Sequence, residues 1–187
     1  MGRKRFTYMK CGIAQALDAF GDWWTLLIVR DAFFGIRRFS DFQQNLGIAK
    51  NILTDRLARL VDQGIMVRVD AGQSGHRYEY ELSDKGEALL PVLTALRDWS
   101  DTWVFGKGLE PLIVTDRKSG KRIQKIKVLS SDGRALTRKD LQSKAGPGAD
   151  ESIFTFKLHK LWPIHSFHRM NCRMKRGIQL VSGMHPW

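Results

Sequence analysis

Apolar residues recur at helical spacing through residues 48–64. Ile52, Leu53, Leu57, Leu60 and Val61 fall on one face, an arc centred near Leu60. Asn51, Thr54, Asp55, Ala58 and Asp62 fall opposite, flanked by Lys50 and Arg59, and Gly64 stops the helix. Just upstream, Phe42 and Leu46 form an i, i+4 pair in a short helix over Phe39–Leu46, with Ser40 as its expected N-cap and Gly47 as a tight turn. Downstream, Ile65–Val69 is short and rich in β-branched residues, and Asp70–Gly75 is a turn-rich tip. His76–Leu82 then alternates, with Arg77, Glu79 and Glu81 on one face and Tyr78, Tyr80 and Leu82 on the other. Helix, tight turn, helix, hairpin is the order of a winged helix-turn-helix.

The flanks extend this pattern. Cys11–Phe20 is amphipathic, with Ile13, Ala16, Leu17 and Phe20 on one face. Gly21 breaks it, and Asp22 is placed to cap Trp23–Phe34, a stretch apolar nearly all round and therefore a core helix ending at Gly35. After the hairpin, Ser83 caps a long helix carrying the stripe Leu89, Leu93, Leu96, Trp99 and Trp103, which Pro91 either kinks or splits into a second segment. That stripe is more than one small domain needs. These five residues are expected at a homodimer interface.

Beyond Gly106 the character changes. Leu112–Thr115 and Gln124–Leu129 read as strands joined near Ser119-Gly120, with another turn at Asp132-Gly133. The expected organisation is a basic segment over residues 1–10, a winged helix-turn-helix DNA-binding and dimerisation domain over 11–105, a small β-like appendage over 106–143, and a linker with an irregular or non-native tail over 144–187. The fold class is α+β, with a long C-terminal dimerisation helix closing the winged domain.

Charge changes the picture only once it is located. The formal net charge is +12, but residues 1–105 hold 14 Lys/Arg against 13 Asp/Glu, whereas residues 106–187 hold 17 against 6. The DNA-binding case therefore rests on the setting of the helix at 48–64 and not on overall basicity. No apolar run approaches the ~20 residues of a membrane span, and the basic start is followed by no apolar signal-peptide core, so a cytoplasmic protein without membrane partners is expected. Two cysteines, Cys11 and Cys172, form no disulfide framework. His159, His165, His168 and Cys172 match no strong zinc spacing. No phosphate loop, catalytic triad or carboxylate pair is present, so neither an enzyme, a cofactor nor a bound metal is expected.

The chemistry concentrates on the helix and hairpin. An α-helix fits the major groove, and its N-terminal side chains reach base edges. Lys50, Asn51, Thr54 and Asp55 occupy that half: Asn pairs bidentately with adenine, and Lys donates to guanine or phosphate. Arg59, one turn on, suits a phosphate. Arg56 sits on the apolar side and is expected in a structural ion pair. His76 and Arg77, with Gln73 and Ser74 at the tip, could reach phosphate or the minor groove. Arg37 and Arg38 precede a helix N-terminus, which also favours phosphate. A solvated helix face and an ordinary polar hairpin are the alternatives. Cys11, at a helix start near Lys10 and Arg3–Arg5, is a candidate redox or electrophile sensor. Its alternative is a small hydrophobe at a dimer interface.

Taken together, these residues resemble the HxlR-type family of bacterial winged-helix transcription regulators. The resemblance runs from Cys11 to about Trp103. It is carried by Cys11, Gly21-Asp22 with Trp24, Gly35 with Arg38-Phe39, Leu46-Gly47-Ile48, Leu53 with Arg56-Leu57 and Leu60, Gly64, Tyr80 with Leu82-Ser83, Lys85-Gly86, and Pro91-Val92-Leu93 with Trp99. Two positions depart: Trp23 stands where the family usually has Lys, and Ala49 where it often has Ser. The resemblance implies a sequence-specific regulator that binds double-stranded DNA as a homodimer on a palindromic operator, with a small-molecule or oxidant effector. A winged-helix module that binds another protein instead of DNA is the alternative.

Overall fold

The computed structural model describes residues 6, 9, 11–72, 78–144 and 146–148. The elements below lie within one compact unit, Met1–Lys144. Their order is α1 (Gly12–Phe20), α2 (Trp23–Phe33), α3 (Phe39–Leu46), α4 (Lys50–Asp62), β1 (Met66–Asp70), β2 (Tyr78–Leu82), α5 (Asp84–Glu87) and α6 (Leu90–Ser100). The two strands pair antiparallel, with Met66 opposite Leu82 and Asp70 opposite Tyr78. This is an α+β winged helix-turn-helix. No helix of the described residues is long and apolar enough to cross a membrane.

One core explains the arrangement. Ile28 and Val29 of α2, Phe42 of α3, and Leu53, Leu57 and Leu60 of α4 meet Ile65, Met66 and Leu89. Tyr80 and Leu82, the apolar face of β2, pack against it. Asp31 is buried in this setting, and it is satisfied: Arg30 Nη2 donates to it at 2.6 Å and Asn45 Nδ2 at 2.7 Å. That network ties α3 to α2.

Helix ends follow local chemistry. Asp22 caps α2, its carboxylate accepting from the Thr25 amide at 2.9 Å and the Thr25 hydroxyl at 2.7 Å. Ser83 caps α5 by accepting from the Gly86 amide at 3.2 Å. Ser40 does not cap α3. The N-cap lies two residues earlier, at Arg38, and the Ser40 hydroxyl donates to Asp41.

Other expectations are corrected too. The long C-terminal helix is two segments, α5 and α6, followed by a wider π-type turn over Asp101–Phe105. Pro91 lies in the first turn of α6, where its missing N–H costs nothing, so it starts a segment instead of kinking one. Leu112–Thr115 and Gln124–Leu129 are not strands: the appendage has only isolated bridges, Thr115 to Arg122 and Leu129 to Ala135, each spanning one tight turn. Ile13 and Leu17, on the apolar face of α1, and Trp23, at the start of the expected core helix, are exposed. An amphipathic pattern says that a face is apolar, not that its own chain covers it.

The appendage is fastened to the end of α6. The Ile126 amide donates to Asp98 Oδ2 at 2.8 Å, and Lys125 Nζ donates to the Thr102 hydroxyl at 2.8 Å. Arg122 reaches Glu110 at 3.1 Å and the buried Asp101 at 4.0 Å.

Candidate nucleic-acid interface

Helices α3 and α4 are joined by Gly47, Ile48 and Ala49. Gly47 is left-handed, with φ of 60°, a conformation any residue with a Cβ adopts at a cost. Ala49 is the extended N-cap of α4 and offers no side-chain bond, and the first turn holds no acid. The first-turn amides of α4 thus lack both capping oxygen and carboxylate, the arrangement that suits an incoming phosphate. Leu53, Leu57 and Leu60 anchor the opposite face of α4 in the core, so its orientation is fixed by packing.

The face this leaves outward carries Lys50, Asn51, Thr54 and Asp55, all exposed. The Thr54 hydroxyl donates back to the Lys50 carbonyl at 2.9 Å, which leaves an acceptor and a methyl group for a partner. Asp55 is neutralised by its neighbours: Arg56 pairs with it, and Arg59 Nε lies 3.6 Å away. Arg56 also donates to Asp22 at 3.1 Å, which joins α4 to the N-cap of α2. Such a pair is what its place on the apolar side of the helix implies.

Arg37 and Arg38 are drawn into the protein. Arg37 donates to Glu81 at 2.7 Å and Arg38 to Glu79 at 3.2 Å, and Arg37 offers its carbonyl to the Tyr80 amide at 2.8 Å. The segment before α3 thereby meets β2 through one isolated antiparallel bridge, Arg38 to Glu79. His76 and Arg77, with Gln73 and Ser74, lie outside the described residues. So do His159, His165, His168 and Cys172 and the whole tail from residue 149.

Residues 19–107 match the family described as HxlR-like helix-turn-helix. An HTH-type transcriptional regulator of Mycobacterium tuberculosis is 32% identical over 136 residues, covering 73% of this chain and 86% of its own. The chain belongs to the HxlR-like helix-turn-helix family. It is a transcriptional regulator of the HTH type and not an enzyme. Among solved structures, PA1607, a candidate transcription factor, superposes with a TM-score of 0.68 at 42% identity over 73% of this chain and 96% of its own. A second candidate transcription factor, PA1374 of Pseudomonas aeruginosa, gives 0.55 at 35% identity over 78% of this chain and 99% of its own. The 136-residue match is longer than the chain up to residue 107, so it takes in part of the appendage.

Seen as an HxlR-like protein, both departures have local readings. Trp23 is 74% exposed, so the position is a surface one where the family's Lys would be at ease. Ala49 leaves α4 uncapped, as described. Of the five residues expected at a dimer interface, Leu89 is 7% exposed and belongs to the core, and Leu93 packs against that core. Leu96, Trp99 and Trp103 are exposed, with Ile13 and Leu17 on α1. Cys11 is an exposed free thiol at the N-cap of α1. The residues sequence reasoning missed are Glu79 and Glu81, whose alternation marked a polar face but not its partners, and Lys85, which donates to the Gln63 carbonyl at 2.6 Å and so caps the end of α4.

Proposed function

We propose that this regulator binds double-stranded DNA in the cytoplasm as a homodimer on a palindromic operator, with the N-terminal half of α4 in the major groove. The observation that carries the reading is that Lys50, Asn51 and Thr54 stand exposed at an uncapped helix start whose other face is locked into the core. Asn51 reads adenine, Lys50 donates to guanine or phosphate, and Thr54 offers its methyl to thymine. Asp55 holds Arg59 toward the backbone and takes a cytosine amine only if that pair opens. His76 and Arg77, in the segment between β1 and β2, supply the wing contacts.

The dimer follows from the apolar residues the chain leaves uncovered on α1 and α6: Ile13, Leu17, Leu96, Trp99 and Trp103. A second copy covers both faces at once. The exposure of Cys11 supports a thiol-based input, in which an oxidant or electrophile modifies it and shifts the dimer geometry.

Binding sequences selected from random DNA test the reading. Asn51→Ala then loses about 1–3 kcal/mol of discrimination at its base pair. Arg59→Ala weakens all sequences alike and lowers the salt slope by about one. The scarcity of unpaired cations on this face favours a second reading, a module that docks on another protein. Absence of salt-dependent DNA binding would decide for it. Unchanged binding after oxidant treatment, and in Cys11→Ser, would remove the thiol input.

A further inference from the structure

The described cations of the winged domain are nearly all engaged within it. Arg30, Arg37, Arg38, Arg56, Arg59 and Arg97 are in ion pairs with the protein's own carboxylates. Arg68 lies over the Tyr78 ring at 4.0 Å, and Lys85 is bound to a carbonyl. Among the described residues up to Phe105, Lys50 alone has no such partner. A DNA-binding surface normally draws much of its affinity from Lys and Arg that neutralise phosphates. Among the described residues, this one keeps only Lys50 and Arg59, whose pair with Asp55 at 3.6 Å is open to solvent.

The appendage is the reverse. Residues 106–144 hold 11 Lys/Arg and 4 Asp/Glu. All four acids are turned to local donors: Glu110 to Arg122, Asp116 to the Lys118 amide and Ser119, Asp132 to Ser130, and Asp140 to Thr137 and Arg134. Arg117, Lys118, Lys121, Lys127, Arg138 and Lys139 are exposed with no carboxylate partner among the described residues.

Three of these cations share one closed turn. The Asp116 amide donates to the Lys121 carbonyl at 2.8 Å, and the Gly120 amide to the Asp116 carbonyl at 2.8 Å. The Asp116 carboxylate accepts from the Lys118 amide at 3.0 Å and the Ser119 amide at 3.1 Å. The turn is held by its own acid while its cations face solvent, and Asp98, Asp101 and Thr102 fasten the whole to α6.

We propose that the appendage is a second DNA-contacting surface, whose basic turn at residues 116–121 holds phosphates of the duplex flanking the operator. The proposal rests on the DNA-binding reading above and divides its labour. Helix α4 supplies base discrimination with little charge, and the appendage supplies sequence-independent attraction.

The test uses the full chain and its triple variant Arg117→Gln/Lys118→Gln/Lys121→Gln, none of whose side chains makes a hydrogen bond within the described residues. Affinity is measured against salt on a selected operator with long and with trimmed flanks. The expected result is a salt slope lower by about 0.9 for each phosphate that is no longer neutralised, with the ratio of specific to non-specific affinity unchanged. Trimming the flanks should lower the wild-type slope and leave that of the variant alone. Lys118→Arg/Lys121→Arg, which keeps the charge, should keep the slope. Equal slopes for wild type and triple variant on the long duplex overturn the proposal while leaving the α4 reading intact. If the wild type binds no duplex at all, both fall.

Discussion

Replacing Asp22 with alanine removes both a helix cap and a link between helices. Its Oδ1 accepts from the Thr25 amide at 2.9 Å and from Arg56 Nε at 3.1 Å, so one carboxylate caps α2 and holds α4. Loss of the cap costs about 1 kcal/mol. A hydrogen bond between charged groups contributes about 1.5–3 kcal/mol. Asp22 and Arg56 are 20% and 21% exposed, so water weakens the pair and the lower end applies. Asp22→Ala should therefore lower stability by about 2.5 kcal/mol, and Arg56→Ala by about 1.5–2 kcal/mol including the packing of its stem. The double variant should fall short of their sum by about 1–1.5 kcal/mol, because the shared bond can be lost only once. Urea unfolding at one fixed protein concentration measures all four corners, since a dimer makes apparent stability depend on concentration. Strict additivity, within about 0.3 kcal/mol, would refute the claim that this carboxylate couples the two helices.

The remaining predictions use other sites. In Gly86→Ala the new Cβ would lie 2.2 Å from the Ile65 carbonyl oxygen and 3.0 Å from Leu82 Cδ2. Backbone cannot yield as a side chain can, so stability should drop by about 1–3 kcal/mol, seen as a lower urea midpoint at unchanged slope; an unmoved midpoint rejects the packing. Acid should loosen the appendage. Side-chain hydrogen bonds hold Asp116, Asp132 and Asp140 below the usual carboxylate range, and a hydrogen bond from Glu110's own backbone, then one from the Arg122 side chain, do so for Glu110. Carboxyls lowered in the folded state stabilise it above their unfolded pKa and lose that contribution as pH falls through the folded values. Amide protection at Ser119, Gly120 and Arg134 should therefore fade below about pH 4, and protection that persists there would contradict the role given to these acids.

Local signals carried most of the fold. Asp22 and Ser83 cap where the sequence placed them, the glycines at 47 and 64 end helices with positive φ, and the apolar arc of α4 is the buried one. Each depends on residues within about one helical turn. Periodicity misled where a face is apolar but uncovered by its own chain, as for Ile13, Leu17 and Trp23, and where Leu89, on the same stripe as Trp99, turned into the core. It failed again in the appendage, because apolar and basic residues alternate there, as in Lys125-Ile126-Lys127-Val128, without a partner strand to give the alternation meaning.

What the sequence could not carry is which charges cancel. Arg37, Arg38 and Arg56 find their carboxylates 44, 41 and 34 residues away, on elements whose adjacency only the fold creates. A count of cations near the helix-turn-helix therefore overstates what is offered to a phosphate. The pairs also have a positive use: they fix the segment before α3 to β2, and α4 to α2, so the face of α4 proposed to read bases is held preorganised. A face built this way gains precision and gives up attraction. Among the described residues, the exposed cations without a carboxylate partner cluster in the fastened appendage, and on the reading proposed above the choice of sequence falls to α4 and the hold on the backbone to the appendage.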